Sequence, residues 1–133
     1  MKMMLMGVMP GLPKMWFPIV DVRDVAQAHL NAIKLPEAAN KRFALCGDTY
    51  TFKELCEKII EKYGDKYPTH TREMEECPPE NVRFKNAWGH HYKLENTRST
   101  SILGIKYHDV KDTLVDMVEA LISHGMIPDN RNK

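Results

Sequence analysis

The segment over residues 42–47 constrains the fold of this chain more than any other. It reads Arg-Phe-Ala-Leu-Cys-Gly, an almost uninterrupted apolar run of strand length that ends at a glycine. Such a run is typical of a strand covered on both faces, as the strands of a parallel sheet are. We therefore expect an α/β fold in which residues 43–46 form a strand of a parallel sheet. The chain lacks the other strands of such a sheet, so a partner must supply them.

A strand and a helix are predicted ahead of this segment. Residues 17–20 are apolar and favour a strand, and Asp21 follows them as a good helix N-cap. The helix ends before Pro36, because proline cannot continue it. A lone histidine on an apolar face usually belongs to the core, so we expect His29 to be a hydrogen-bonded core side chain. The apolar face at helical spacing consists of Val22, Val25, Ala26, His29, Ala32 and Ile33.

A capping box predicts the start of the next helix. Thr51 and Glu54 form an S/T-x-x-E pattern, and the helical spacing that follows stops at Gly64, a residue suited to a helix C-terminus. Residues 1–127 are expected to form one portion, followed by a loose tail over 128–133. After Gly64 we expect an irregular segment over 65–95 with at most a short strand at 67–71. A short helix over 96–103 follows, and then a last helix that Asp109 caps and Gly125 ends.

Length, charge and cysteine content narrow the class of protein. A chain of 133 residues has the size of one domain, and 19 basic against 18 acidic residues leave a net charge of +1. This balance disfavours a nucleic-acid partner, and no apolar stretch approaches the roughly 18 residues of a membrane span. Cys46, Cys56 and Cys77 show no metal-site spacing and indicate free thiols in the cytoplasm or another reducing intracellular compartment.

One motif lies at the junction of the first strand and helix. Residues 20–29 read Val-Asp-Val-Arg-Asp-Val-Ala-Gln-Ala-His. This run resembles the Val-Asp-Val-Arg-Asp-Val-Ala-x-Ala-His signature of the extended short-chain dehydrogenase/reductases, in the branch of dihydroflavonol 4-reductase and cinnamoyl-CoA reductase. The resemblance covers nearly the whole chain but corresponds to the C-terminal part of such an enzyme. Within the signature we expect structural roles for Asp21, Arg23, Asp24 and His29, with Asp21 as the cap and Asp24 as an acid that complements the helix dipole.

The resemblance implies a Rossmann-type, NADP(H)-dependent reductase, of which two parts are missing here. The family's Gly-x-x-Gly-x-x-Gly turn, which holds the cofactor pyrophosphate, has no counterpart among the seven scattered glycines. The family's catalytic Tyr-x-x-x-Lys spacing occurs once, at Tyr107 and Lys111, but Tyr107 precedes the helix that Asp109 caps. We therefore assign no catalytic, cofactor-binding or metal-binding residue to this chain.

The resemblance places this chain on the substrate side of an incomplete reductase. Ahead of the signature it implies a pocket lined by Met6, Met9, Leu12, Met15 and Trp16, with core packing as the competing interpretation for each. We expect this chain to be the substrate-binding portion of an NADP(H)-dependent carbonyl reductase. It would be inactive alone, because another chain or a missing N-terminal half must complete the sheet and bind the cofactor. The alternative is a non-catalytic structural or assembly subunit that derives from such a reductase.

Overall fold

The computed structural model describes residues 1–78 and 84–131 of the chain. Among these residues, no helix is long and apolar enough to cross a membrane. Short 3-10 helices lie at Pro36–Ala38 and Gly64–Lys66. The longer elements in chain order are α1 (Lys2–Leu5), β1 (Trp16–Ile19), α2 (Val22–Lys34), β2 (Asp48–Thr51), α3 (Phe52–Tyr63), α4 (Thr97–Ser101) and α5 (Val110–Ser123).

The chain divides into two compact units. Unit 1 consists of Met1–Phe17, Tyr50–His91 and Lys111–Lys133, and unit 2 consists of Pro18–Thr49 and Tyr92–Val110. Each unit has its own cluster of buried apolar side chains. The cluster of unit 1 contains Leu5, Ile59, Tyr67, Val118 and Ile127. The cluster of unit 2 contains Ala28, Ala38, Leu103 and Ile105, against which Phe43, Leu45 and Tyr107 pack.

Strands β1 and β2 pair with each other. The backbone N–H of Gly47, just before β2, donates to the carbonyl oxygen of Ile19, the last residue of β1, at 2.8 Å. The start of β2 therefore lies beside the end of β1, so the two strands run antiparallel. The strand predicted at residues 17–20 is confirmed to within one residue.

The parallel strand predicted at residues 43–46 is wrong for this structure. Residues 41–47 hold no strand, and β2 begins at Asp48 instead. Phe43 and Leu45 turn towards the cluster of unit 2, whereas Ala44 is exposed. A strand forms only where a neighbouring backbone pairs with it, and within the described residues the sheet consists of β1 and β2 without residues 43–46.

Helix α2 begins and ends where the sequence predicts. The Asp21 carboxylate accepts hydrogen bonds from the backbone N–H of Arg23 at 2.8 Å and from its guanidinium Nη2 at 2.6 Å. Leu35 ends the helix immediately before Pro36. The cap predicted at Asp21 is thus confirmed, and Arg23 is the residue that the capping carboxylate holds.

The buried face of α2 differs from the predicted one. Asp24 and Ala28 are buried, whereas Val22 and Ile33 are 78% and 84% exposed. His29 is also exposed, so its predicted place in the core is wrong. The helix carries small or apolar residues around most of its circumference, and spacing alone therefore does not decide which face packs.

Helix α3 has the capping box that the sequence predicts. The backbone N–H of Glu54 donates to Thr51 Oγ1 at 3.1 Å, and the Glu54 carboxylate accepts from the backbone N–H of Thr51 at 2.7 Å. Gly64 follows the helix with φ of +59°, a left-handed conformation that favours glycine. Both ends of α3 are therefore encoded locally.

Replacing Thr51 by alanine is expected to lower the free energy of unfolding by about 1–2 kcal/mol, because a first-turn N–H of α3 loses its acceptor. Chemical denaturation followed by circular dichroism measures the change. Glu57→Ala, at an exposed position of the same helix, is the matched control and should change stability by no more than about 0.5 kcal/mol. Equal effects of the two substitutions would show that the capping box contributes nothing.

The helices predicted near residues 96–103 and after Asp109 are confirmed as α4 and α5. No strand forms at 67–71; Tyr67 is buried there and donates from its hydroxyl to the carbonyl oxygen of Pro128 at 3.3 Å. In the segment predicted as a tail, Asn130 Nδ2 donates to the carbonyl oxygen of Lys66 at 3.0 Å.

Candidate functional site

Unit 1 contains an apolar cavity of about 380 Å³. Its walls come from residues 9–17, from the start of α3, and from the segments on either side of the undescribed residues. Met9, Met15, Phe52, Met74 and Trp88 are among the side chains that line it. Cavities of this volume with apolar walls are typical of sites that bind small molecules.

Backbone pairing between two distant segments builds one wall of the cavity. The backbone N–H of Leu12 donates to the carbonyl oxygen of Arg72 at 2.8 Å, and the N–H of Met74 donates to the carbonyl oxygen of Leu12 at 2.9 Å. The His70 ring adds a bond from Nε2 to the carbonyl oxygen of Met9 at 2.8 Å. Because a carbonyl oxygen only accepts, His70 Nε2 carries the proton in this bond. These bonds hold Met9 and Met74 at the cavity.

Aromatic contacts build another part of the cavity wall. The rings of Phe17 and Phe52 stack with centroids 4.4 Å apart and planes 20° apart, which joins β1 to the start of α3. The backbone N–H of Gly89 donates to the carbonyl oxygen of Lys14 at 2.6 Å, which holds the neighbouring Trp88 near the segment before β1. The cavity is partly open, and the segments that line it are tied together by hydrogen bonds and ring contacts.

The five predicted pocket residues have different places in unit 1. Met9 and Met15 line the cavity. Leu12 is buried and takes part in the backbone pairing that supports the wall, while Met6 lies at the surface. Trp16 packs edge-on against His91, with centroids 5.2 Å apart. The sequence did not point to Phe52, Met74 or Trp88, since the last two lie in a polar segment without periodicity.

The signature residue Asp24 has a more specific role than complementing a helix dipole. Its buried carboxylate accepts from the backbone N–H of His108 at 2.9 Å and from His108 Nδ1 at 2.6 Å. These two bonds tie the first turn of α2 to the segment that precedes α5 within unit 2. Since both bonds come from one residue, the contact orients the His108 ring as well as its backbone.

Tyr107 and Lys111 are not arranged as a catalytic pair. In unit 2 the Tyr107 hydroxyl lies 2.6 Å from Ser99 Oγ, and Ser99 is fully buried. In unit 1 Lys111 Nζ donates to the Glu61 carboxylate at 2.6 Å, and this bond holds the pKa of Glu61 below its usual range. His29 Nδ1 donates to the carbonyl oxygen of Val25 at 2.7 Å, a bond within its own helix.

The cysteines and acidic residues offer little reactive chemistry. Burial raises the pKa of the Cys46 thiol and raises that of Cys56 to about 11, which keeps both protonated and poorly nucleophilic near neutral pH. Cys77 is partly exposed and is not in a disulfide. In the described part of the chain, no group of three or more His, Cys, Asp or Glu side chains is arranged to hold a metal ion.

Comparison with known proteins shows which class of enzyme this chain is similar to. No protein-family model matches the chain. It is 30% identical over 119 residues to ketoreductase azaE of Aspergillus niger, which covers 90% of this chain and 32% of the relative. It is 30% identical over 109 residues to cinnamoyl-CoA reductase 1 of Petunia hybrida, with 82% and 29% covered. The crystal structure of Candida albicans Gre2 in complex with NADPH matches with a TM-score of 0.63 and 26% identity, over 84% of this chain and 31% of that chain.

These matches confirm the resemblance and the fold class. The homologues of this chain are reductases of the extended short-chain dehydrogenase/reductase class, and its α/β fold matches part of a Rossmann-type reductase. It spans about a third of the length of the relatives that it matches.

Proposed function

We propose that this chain is the substrate-binding, C-terminal portion of an NADPH-dependent carbonyl reductase. The cavity of unit 1 is the observation that carries the proposal, because it is a preformed apolar site built from the residues just ahead of the family signature. The matched relatives are a ketoreductase and a cinnamoyl-CoA reductase by name, and Gre2 is bound to NADPH. The cavity would hold the part of the carbonyl substrate that does not react.

Carbonyl reduction needs a hydride for the carbon and a proton for the oxygen, and NADPH supplies the hydride when it is bound. The residues of this chain do not fit a cofactor site. Its glycines form no phosphate-binding turn. The Tyr107 hydroxyl is engaged with Ser99, and Lys111 is paired with Glu61. The chain therefore binds and orients substrate, and another portion of the reductase holds the cofactor and donates the proton.

Exposed apolar surface on unit 2 supports the proposal that another portion of the reductase holds the cofactor. Leu30 and Ile33 of α2 are 51% and 84% exposed, and Ala44 is exposed in a segment whose sequence is typical of a strand covered on both faces. We propose that the portion of the reductase that carries the other strands of the Rossmann-type sheet covers this surface. The matched relatives, which are about three times as long, have room for such a portion.

The same exposed surface favours a second candidate function. A non-catalytic assembly subunit would use the apolar residues of α2 to bind an unrelated partner in a larger complex. The two functions differ in what the cavity of unit 1 does, since an assembly subunit has no need for a ligand there.

A chimera separates the two functions. In it this chain replaces the matching C-terminal third of Candida albicans Gre2, and NADPH absorbance is followed with a panel of small aliphatic and larger aromatic aldehydes and ketones. We expect turnover on the order of 100-fold above the Gre2 portion alone, because substrate positioning is restored. A folded chimera that binds NADPH and reduces none of the carbonyl compounds would contradict the reductase function and favour the assembly subunit.

A further inference from the structure

One wall of the unit 1 cavity contains an unusually close approach between two residues. Gly11 is buried, and a β-carbon placed on it would lie 2.6 Å from Cγ of Met74. Gly11 is not among the described glycines with positive φ, so its backbone conformation does not require glycine. The space occupied by the Met74 side chain is therefore what excludes a side chain at residue 11.

The backbone of Met74 is fixed while its side chain is adjustable. The bonds that pair Leu12 with Arg72 and Met74 prevent the backbone from moving away from Gly11 without a loss of hydrogen bonding. The unbranched methionine side chain has three rotatable bonds and a polarizable sulfur, and it can pack against ligands of different shape. Met74 thus forms an adjustable part of an otherwise fixed wall.

The chemistry of the lining indicates the class of ligand. The described side chains of the lining are apolar, with Phe17, Phe52 and Trp88 as the aromatic faces and Met9, Met15 and Met74 as the thioethers. An apolar cavity of about 150 Å³ already holds benzene, and this one has about 380 Å³. A small polar carbonyl compound would leave most of that volume unfilled and its oxygens without partners.

We propose that this cavity binds the aromatic or similarly bulky apolar part of a carbonyl compound, and that Met74, seated in the space left by Gly11, sets the ligand size it admits. The carbonyl in this statement rests on the proposed function. Occupancy of the cavity by an aromatic group, and its control by Met74, follow from the cavity itself.

Fluorescence of Trp88 reports occupancy directly in the full chain. A Trp16→Phe variant leaves Trp88 as the single tryptophan, and 4′-bromoacetophenone is the probe, because its bromine quenches indole emission on contact. We expect saturable quenching that a tenfold molar excess of hydroxyacetone, a small polar carbonyl compound, does not reverse. Absence of saturable quenching, or full displacement by hydroxyacetone, would overturn the proposal.

A double-mutant cycle tests the role of Met74. Gly11→Ala should weaken binding of the probe by about fivefold or more, the coupling expected of residues in contact. In a Met74→Ala background the same Gly11→Ala change should have no further effect, since the clashing atom is gone. Met126→Ala, at a half-exposed methionine outside the cavity lining, should leave binding unchanged. Equal effects of Gly11→Ala in both backgrounds would overturn the assignment of Met74.

A second measurement avoids dependence on the glycine variant. Met74→Ala should bind the larger probe 4-bromobenzophenone more tightly relative to 4′-bromoacetophenone than the unsubstituted chain does, and an unchanged ratio would contradict the size-setting role. These binding results do not depend on catalysis. An inactive Gre2 chimera would refute the proposed function while the quenching persisted, whereas an active chimera without quenching would refute the inference alone.

Discussion

Replacing Asp24 by alanine is expected to lower the free energy of unfolding of the chain by about 2 kcal/mol, because two hydrogen bonds from His108 lose a buried, charged acceptor. The Asp24 carboxylate accepts both the backbone N–H and the ring Nδ1–H of His108. The Asp24 side chain is 5% exposed, so water fills the space of the lost carboxylate only after rearrangement, whereas the His108 ring is 41% exposed and can donate to water instead. The segment before α5 would lose its attachment to α2 in the same step.

Two further substitutions make the Asp24 experiment specific. Asp24→Asn keeps one acceptor oxygen and should recover part of the stability, since the His108 backbone N–H can still be satisfied. His29→Ala on the same helix removes an exposed side chain and should change stability by no more than about 0.5 kcal/mol. Chemical denaturation followed by circular dichroism measures all three variants. An Asp24→Ala protein as stable as the His29→Ala protein would show that the contact with His108 does not contribute to the free energy of unfolding.

The elements that the sequence predicts well are those whose signals are local. The ends of α3 follow from hydrogen bonds between Thr51 and Glu54 and from the positive φ of Gly64. The start of α2 follows from the Asp21 carboxylate and the N–H of a residue two positions away. Such contacts span a few residues and do not depend on what covers the element, so residue types alone indicate them.

The predictions that fail depend on a neighbour at a distance. Residues 43–46 are apolar at each position, which indicates burial on both faces but not the backbone that pairs with them. In α2 the predicted face is mainly apolar, but packing within unit 2 buries the face that carries Asp24 and Ala28. An apolar side chain indicates that its position can be buried, and the fold decides whether an element covers it and which one.

The lining of the cavity is likewise only partly predictable from the sequence. Met9 and Met15 were predicted from their place ahead of the signature, but Met74 reaches the cavity through pairing of Leu12 with residues some sixty positions along the chain. The segment around Met74 is polar and lacks periodicity, so no local pattern marks it as lining. Its only signal in the sequence is a methionine among acidic residues, which by itself indicates nothing about a partner at Gly11.

The chain alone is expected to show no measurable affinity for NADPH. Most of the binding free energy for a dinucleotide comes from contacts to its phosphates and ribose, which a glycine-rich turn and a helix N-terminus provide in Rossmann-type folds. This sequence has no such turn, and Lys111, the one lysine at the family's catalytic spacing, is paired with Glu61. Isothermal titration with NADPH measures the affinity. A micromolar Kd, about −8 kcal/mol, would refute the assignment of the cofactor site to another portion of the reductase.

The Gre2 chimera provides the matched comparison, because it adds a cofactor-binding portion to the same chain. It should bind NADPH under conditions in which the chain alone does not. Within the chimera, Tyr107→Phe removes only the hydroxyl that contacts Ser99, and turnover should fall by less than about threefold. Loss of a true proton donor would lower turnover on the order of 100-fold or more. Such a loss on Tyr107→Phe would place the catalytic acid in this chain, and the division of labour proposed for the reductase would then be wrong.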